Sequence, residues 1–110
     1  MTVVELQANV FKAMAHKARV KILVLLRDEK QCVCDIARMI NEPQPLVSRS
    51  LNALKQAGLV EAKKSGTKAC YRLKSYEVVK LLDAATNIIK KQNEDMIEIL
   101  QQKNKGEKNG

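Results

Sequence analysis

From Val3 to Leu54 the apolar residues recur three and four positions apart, in runs broken at Asp28-Glu29-Lys30 and at Asn41-Glu42-Pro43. That spacing lines one face of an α-helix, and the breaks keep each helix short. Val3, Leu6, Val10, Phe11 and Met14 mark a first helix from Val3 to Met14. After the basic stretch His16 to Lys21, Val20, Leu23, Val24 and Leu26 mark a second, core-facing nearly all round. Val33, Ile36, Ala37 and Ile40 give a third of barely two turns, and Pro43 biases Glu42 away from helical geometry, which places a turn there. Leu46, Val47, Ser50, Leu51 and Leu54 form the apolar side of a fourth helix over residues 44–57, with Gly58 as its left-handed cap.

Past Gly58 the pattern changes. Leu59 to Lys64 and Thr67 to Lys74 read as two short strands joined at Ser65-Gly66, with Val60, Ala62, Tyr71 and Leu73 as inward candidates. A long helix then runs from Ser75 to Leu100, on Val78, Leu81, Leu82, Ala85, Ile88, Ile89, Met96, Ile99 and Leu100. Its stripe outruns what one small domain covers. The chain of 110 residues has room for one domain, here residues 1–101, followed by a disordered polar tail over 102–110. A domain of this size gains buried surface from a second protomer. The fold class is therefore mostly α with a small β-hairpin, dimerised through the first and last helices, and nothing in it requires a cofactor to fold.

The net charge of +8 is unevenly spread. Residues 43–74 carry seven basic side chains against one acidic, whereas residues 75–110 carry six of each. Two short helices about a tight turn, then a basic hairpin, is the order of a winged helix-turn-helix. Residues 44–57 are its recognition helix, where Gln44, Ser48, Arg49, Asn52 and Lys55 reach base edges or phosphates. Lys63, Lys68, Arg72 and Lys64 on the hairpin reach neighbouring phosphates. The partner is double-stranded operator DNA; for any one of these side chains the alternative is a solvated surface charge. A membrane partner conflicts with charge placed on a hairpin and a polar helix, and no run approaches the roughly 18 apolar residues of a bilayer span. The N-terminus has no signal core, so the chain reads as cytoplasmic. One histidine, no glycine-rich phosphate loop and no C-x-x-C leave little machinery for an enzyme. A small dithiol redox protein is the remote alternative, and specific, salt-sensitive DNA binding separates it.

Several of these stretches resemble the ArsR/SmtB family of winged-helix metalloregulators. They are Val10 to Leu23, Cys32-Val33-Cys34-Asp35-Ile36-Ala37, Gln44 to Leu51 with Val47-Ser48-Arg49, Leu54 to Val60, and Cys70-Tyr71-Arg72-Leu73. The resemblance covers about residues 8–74. It implies a homodimeric bacterial or archaeal repressor that leaves its operator when an inducer binds. Ser50 stands where many members carry histidine, and Lys17-Ala18 where many carry Pro-Thr.

Three cysteines in a chain without a signal argue against a disulfide framework. The box Cys32-Val33-Cys34-Asp35 resembles the one through which arsenic-, cadmium- and lead-responsive members bind their inducer, so Cys32 and Cys34 are candidates to hold such an ion or to sense oxidation. Residues two apart in a helix point about 200° away from each other, so both sulfurs reach one ion only if Cys32 stands at or before the helix start or the first turn distorts. Position 37, where the family pattern places a third thiolate, is alanine. Cys70 is the weaker candidate, its plainer role being a small strand side chain. His16 reads as a cap or surface residue, and Asp83, Glu94, Asp95 and Glu98 as solvated charges, because the last helix has no histidine to join them in a zinc-type site.

Overall fold

The structure is a computed structural model that describes residues 1–93 and 98–102. It divides into a unit of Met1–Val79 and a second unit from Lys80 onward. The elements run α1 (Val3–Met14), α2 (Lys17–Leu26), β1 (Gln31–Cys32), α3 (Val33–Ile40), α4 (Gln44–Gln56), β2 (Val60–Ser65), β3 (Lys68–Leu73) and α5 (Glu77–Gln92).

Each boundary has a local cause. Thr2 and Glu5 form a capping box at the start of α1: the Thr2 hydroxyl accepts from the Glu5 N–H at 3.1 Å and the Glu5 carboxylate accepts from the Thr2 N–H at 3.2 Å. The Arg19 guanidinium donates to the Ala13 carbonyl at 3.1 Å, which ties the end of α1 to α2. Both helices of the helix-turn-helix end in a Schellman motif. After α3 the left-handed residue is Asn41 (φ 56), with the Glu42 N–H on the Ala37 carbonyl at 3.1 Å. After α4 it is Gly58 (φ 80), with the Leu59 N–H on the Leu54 carbonyl at 3.0 Å. Pro45 lies in the first turn of α4, where its missing N–H has no helical acceptor.

The core of the first unit sits between α2, α3 and α4 and under the sheet. Ile22, Leu23, Ile36, Val47, Leu51 and Leu54 are fully buried. Val20 and Val24 are exposed at 37% and 47%, so α2 is two-faced rather than core-facing all round. On α1 only Ala13 is buried, while Val3, Val4, Leu6 and Phe11 lie open to solvent.

The hairpin is part of a three-stranded antiparallel sheet in the order β1-β3-β2. The two-residue β1 was missing from the sequence expectation because so short a strand has no periodicity; pairing with β3 alone makes it one. Its addition makes β3 central; Cys70, paired with Cys32, is buried, whereas Ala62, an expected inward residue on the outer strand β2, is exposed. Val60 is buried as expected, and Tyr71 and Leu73 are half-buried. Ser65 pairs with Lys68, so the loop is Gly66-Thr67 and not Ser65-Gly66. Gly66 has φ 66 at the first central position, as a type II′ hairpin turn requires.

In the second unit α5 continues to Gln92, and residues 98–102 are helical, Gln102 included. Ile88 and Ile89 of α5 are exposed. The expected passage of the last helix through 94–97, the roles given to Glu94 and Asp95, and the disordered tail beyond 102 fall outside the described residues. Among the described residues no helix is long and apolar enough to cross a membrane.

Candidate nucleic-acid interface

The thirteen residues of α4 divide cleanly by face. Val47, Ser50, Leu51 and Leu54 point into the core, and Gln44, Ser48, Arg49, Asn52 and Lys55 are all exposed. Ser50, at the position where a histidine stands in many similar chains, is 4% exposed, which suits a small side chain. The outer stripe of α4 carries amide, hydroxyl and guanidinium groups, the set that hydrogen-bonds base edges and phosphates.

On the sheet, period-two alternation sorts the basic residues. Lys68, Cys70 and Arg72 share one face of β3, and their cross-strand neighbours Lys63 and Glu61 share it with them. Lys64, opposite Ala69, lies on the other face. The register thus divides the four hairpin cations three and one, where the sequence treated them as a single group. All four are exposed.

The pairing that sequence reasoning missed is between Arg72 and Glu61, the one acidic residue in the basic third of the chain. Arg72 Nε lies 2.5 Å from Glu61 Oε1. Its hydrogen bond lowers the carboxyl pKa against a smaller desolvation effect, with the Arg72, Lys63 and Lys74 charges adding to it. A depressed carboxylate pKa means that the pair holds at neutral pH and opens only as pH falls through that lowered value. Arg72 is therefore engaged within the wing, and strand register was the only signal that could have revealed it. Replacing Glu61 by glutamine removes a negative charge beside the cations and frees Arg72. Affinity for any duplex should rise, and the slope of log K against log salt should steepen by about 1. Anisotropy titrations across a salt series read both, and an unchanged slope would place Arg72 away from phosphate.

The three cysteines are not arranged as the sequence suggested. Cys32 lies opposite Cys70 across the β1–β3 pair and is joined to it by a disulfide, which corrects the expectation that no bridge forms. The physical reason is the unforeseen strand β1, which brings together residues 38 positions apart. Cys34, in the first turn of α3, is free and exposed. Cys32 is the N-cap of α3 with extended backbone (φ −87, ψ 153), so it stands outside the helix, the arrangement a Cys32–Cys34 pair requires. Among the described residues no group of three or more His, Cys, Asp or Glu side chains is assembled to hold a metal ion. His16 caps α2 through its backbone alone and is exposed, and Asp83 and Glu98 are exposed as well.

Residues 16–62 match the model of the bacterial regulatory protein, arsR family. An uncharacterized HTH-type transcriptional regulator of Methanocaldococcus jannaschii is 41% identical over 83 residues, covering 72% of this chain and 93% of that one. The solution structure of a homodimeric winged helix-turn-helix DNA-binding domain from Mycobacterium bovis, described as a possible ArsR-family transcriptional regulator, superposes with a TM-score of 0.73 at 34% identity, covering 78% of this chain and 80% of that one. The chain belongs to the ArsR family. Within the family, the cadmium resistance transcriptional regulatory protein CadC of Listeria innocua is 33% identical over 78 residues, 70% of this chain and 66% of its own. The ArsR-family relatives are DNA-binding transcriptional regulators, not enzymes.

Proposed function

We propose that this chain is a cytoplasmic, homodimeric repressor that holds an operator through α4 and the β2–β3 wing and releases it when a thiophilic metal(loid) of the arsenite, cadmium or lead class engages Cys32 and Cys34. The observation that carries the reading is the division of α4. Its core-facing Val47, Ser50, Leu51 and Leu54 are buried and its outer face exposes every candidate contact beside an exposed cationic wing. The inducer class rests on the soft character of two thiolates, on the position of Cys32 outside α3, and on kinship to a cadmium resistance regulator. Two sulfurs suit a soft ion that completes its coordination from solvent or a small thiol, and they do not suit a four-ligand zinc site. Cys70 joins as a third thiolate only when its bridge to Cys32 is open.

The residues supply the lever. Drawing Cys32 toward Cys34 distorts the first turn of α3, whose Ile36 is fully buried in the core that α3 shares with α4. A small displacement of α4 spoils the spacing of about one DNA turn that two recognition helices need. A coupling of about 1 to 3 kcal/mol is sufficient. Thiol oxidation is the second reading, although the bridge in the structure joins Cys32 to Cys70 and not to Cys34.

Gel-shift titration on the DNA upstream of its own gene, with arsenite, cadmium, zinc and peroxide, tests this. The Cys32→Ser, Cys34→Ser double variant should bind the operator and ignore cadmium and arsenite. Equal release from both proteins would place the signal elsewhere. The dimer has its own test: with Val3, Val4, Leu6 and Phe11 of α1 and Ile88 and Ile89 of α5 exposed, sedimentation at micromolar concentration should show a dimer, and a monomer alone would contradict it.

A further inference from the structure

We infer that the Cys32–Cys70 pair is a redox gate on inducer sensing: when the bridge is closed the repressor stays on DNA in the presence of thiophilic metal, and when it is open the metal response is restored. The inference rests on the proposed role of Cys32 and Cys34 and adds a regulatory state to it. Three observations carry it. First, Cys32 and Cys70 are directly opposed in the β1–β3 register and bonded, so the Cys32 sulfur serves either the bridge or a metal, never both. Second, Cys32 is also the residue through which α3 begins. A covalent tie from that residue to the central strand of the sheet opposes the distortion of the first turn of α3 on which release depends. Third, the bridged chain keeps the arrangement of a DNA-binding winged helix, with α4 and the wing exposed, so closing the bridge leaves the DNA face in place.

The chemistry balances with a hydroperoxide as oxidant. Cys32 is half-buried and Cys70 is 1% exposed, so Cys32 reacts first. Its thiolate attacks the peroxide O–O bond, giving a sulfenic acid and, after proton uptake, an alcohol or water. The Cys70 thiol then attacks that sulfur, forming the S–S bond and releasing water. Two thiols lose two electrons and two protons, and the peroxide takes up both. A small-molecule thiol reverses the step by attacking the more accessible Cys32 sulfur. Cys34, free and exposed, lies outside the bridge, so the bridged chain titrates one thiol on denaturation against three when reduced, and peptide mapping tells this bridge from a Cys32–Cys34 one.

The experiment compares phosphine-reduced and peroxide-treated protein on the same DNA fragment, with thiol titration and peptide mass mapping to locate the bridge. Peroxide should produce the Cys32–Cys70 linkage. Both forms should bind DNA within a few-fold of each other, and the bridged form should need at least about tenfold more cadmium to release it. Cys70→Ser, with Cys70→Ala as a second form in case the hydroxyl disturbs the buried site, should respond to cadmium with or without peroxide. A mapped bridge with an unchanged cadmium dose overturns the gate and leaves the proposed function standing. Failure of reduced protein to release DNA with any thiophilic ion overturns the inducer reading and the gate with it. Peroxide that joins Cys32 to Cys34, or leaves three free thiols, overturns the gate alone.

Discussion

Leu51→Ala is expected to lower the unfolding free energy by about 2 to 5 kcal/mol, because Leu51 is fully buried on the core face of α4 and its truncation leaves a cavity between helices that are closely packed. Stability of a small domain is about 5 to 15 kcal/mol in total. The variant should therefore lose a large share of its folded population on warming, and its DNA binding should fail with its fold although no DNA-facing atom has changed. One residue along the same helix, Asn52 is exposed, and Asn52→Ala should leave stability within about 0.5 kcal/mol. Urea unfolding at matched protein concentration checks the pair, since dimer stability depends on concentration. A Leu51 loss below about 1 kcal/mol would mean that α4 is not held as described.

Arg49→Ala and Lys64→Ala should separate specificity from attraction. Arg49 is exposed beside Ser48 and Asn52 on the outer stripe of α4, where a guanidinium reaches a base edge. Its loss should cost about 1 to 3 kcal/mol on the operator and little on unrelated DNA. Lys64, on the β2–β3 wing, should matter equally on all sequences, and its removal should flatten the salt slope by about 1. Competition binding against operator and scrambled duplexes measures both. Unchanged affinity and salt slope in both variants would put the DNA on another surface.

The helices were legible because their signals are local. The spacing of Val47, Ser50, Leu51 and Leu54 predicted the buried face of α4, Leu46 at its start being half-buried, and Gly58 announced the left-handed residue that ends it. The helix-turn-helix was readable for the same reason, with Asn41 taking the left-handed cap one residue before the turn expected at Glu42. What stayed hidden depends on strand pairing. The strand β1 exists only because Gln31 and Cys32 meet Tyr71 and Cys70, and nothing in a two-residue stretch advertises that. The Cys32–Cys70 bridge and the Arg72–Glu61 ion pair both follow from register, so the thiol pairing suggested by the sequence, between neighbours in one box, missed the partner across the sheet. The outward faces of α1 and α2 mark the same limit: an apolar helical stripe signals burial but does not say whether the cover is this chain or another.

The central claim is that α4 and the wing of a dimer read DNA. Hydroxyl-radical footprinting of the reduced protein on the DNA upstream of its gene tests it most directly. The account predicts two protected patches on one side of the duplex, centred about one helical turn or a whole multiple of it apart, both needing about 5- to 150-fold more protein in Arg49→Ala and both released by cadmium. Uniform protection along the fragment, or a footprint that Arg49→Ala forms at the same protein concentration, would contradict it.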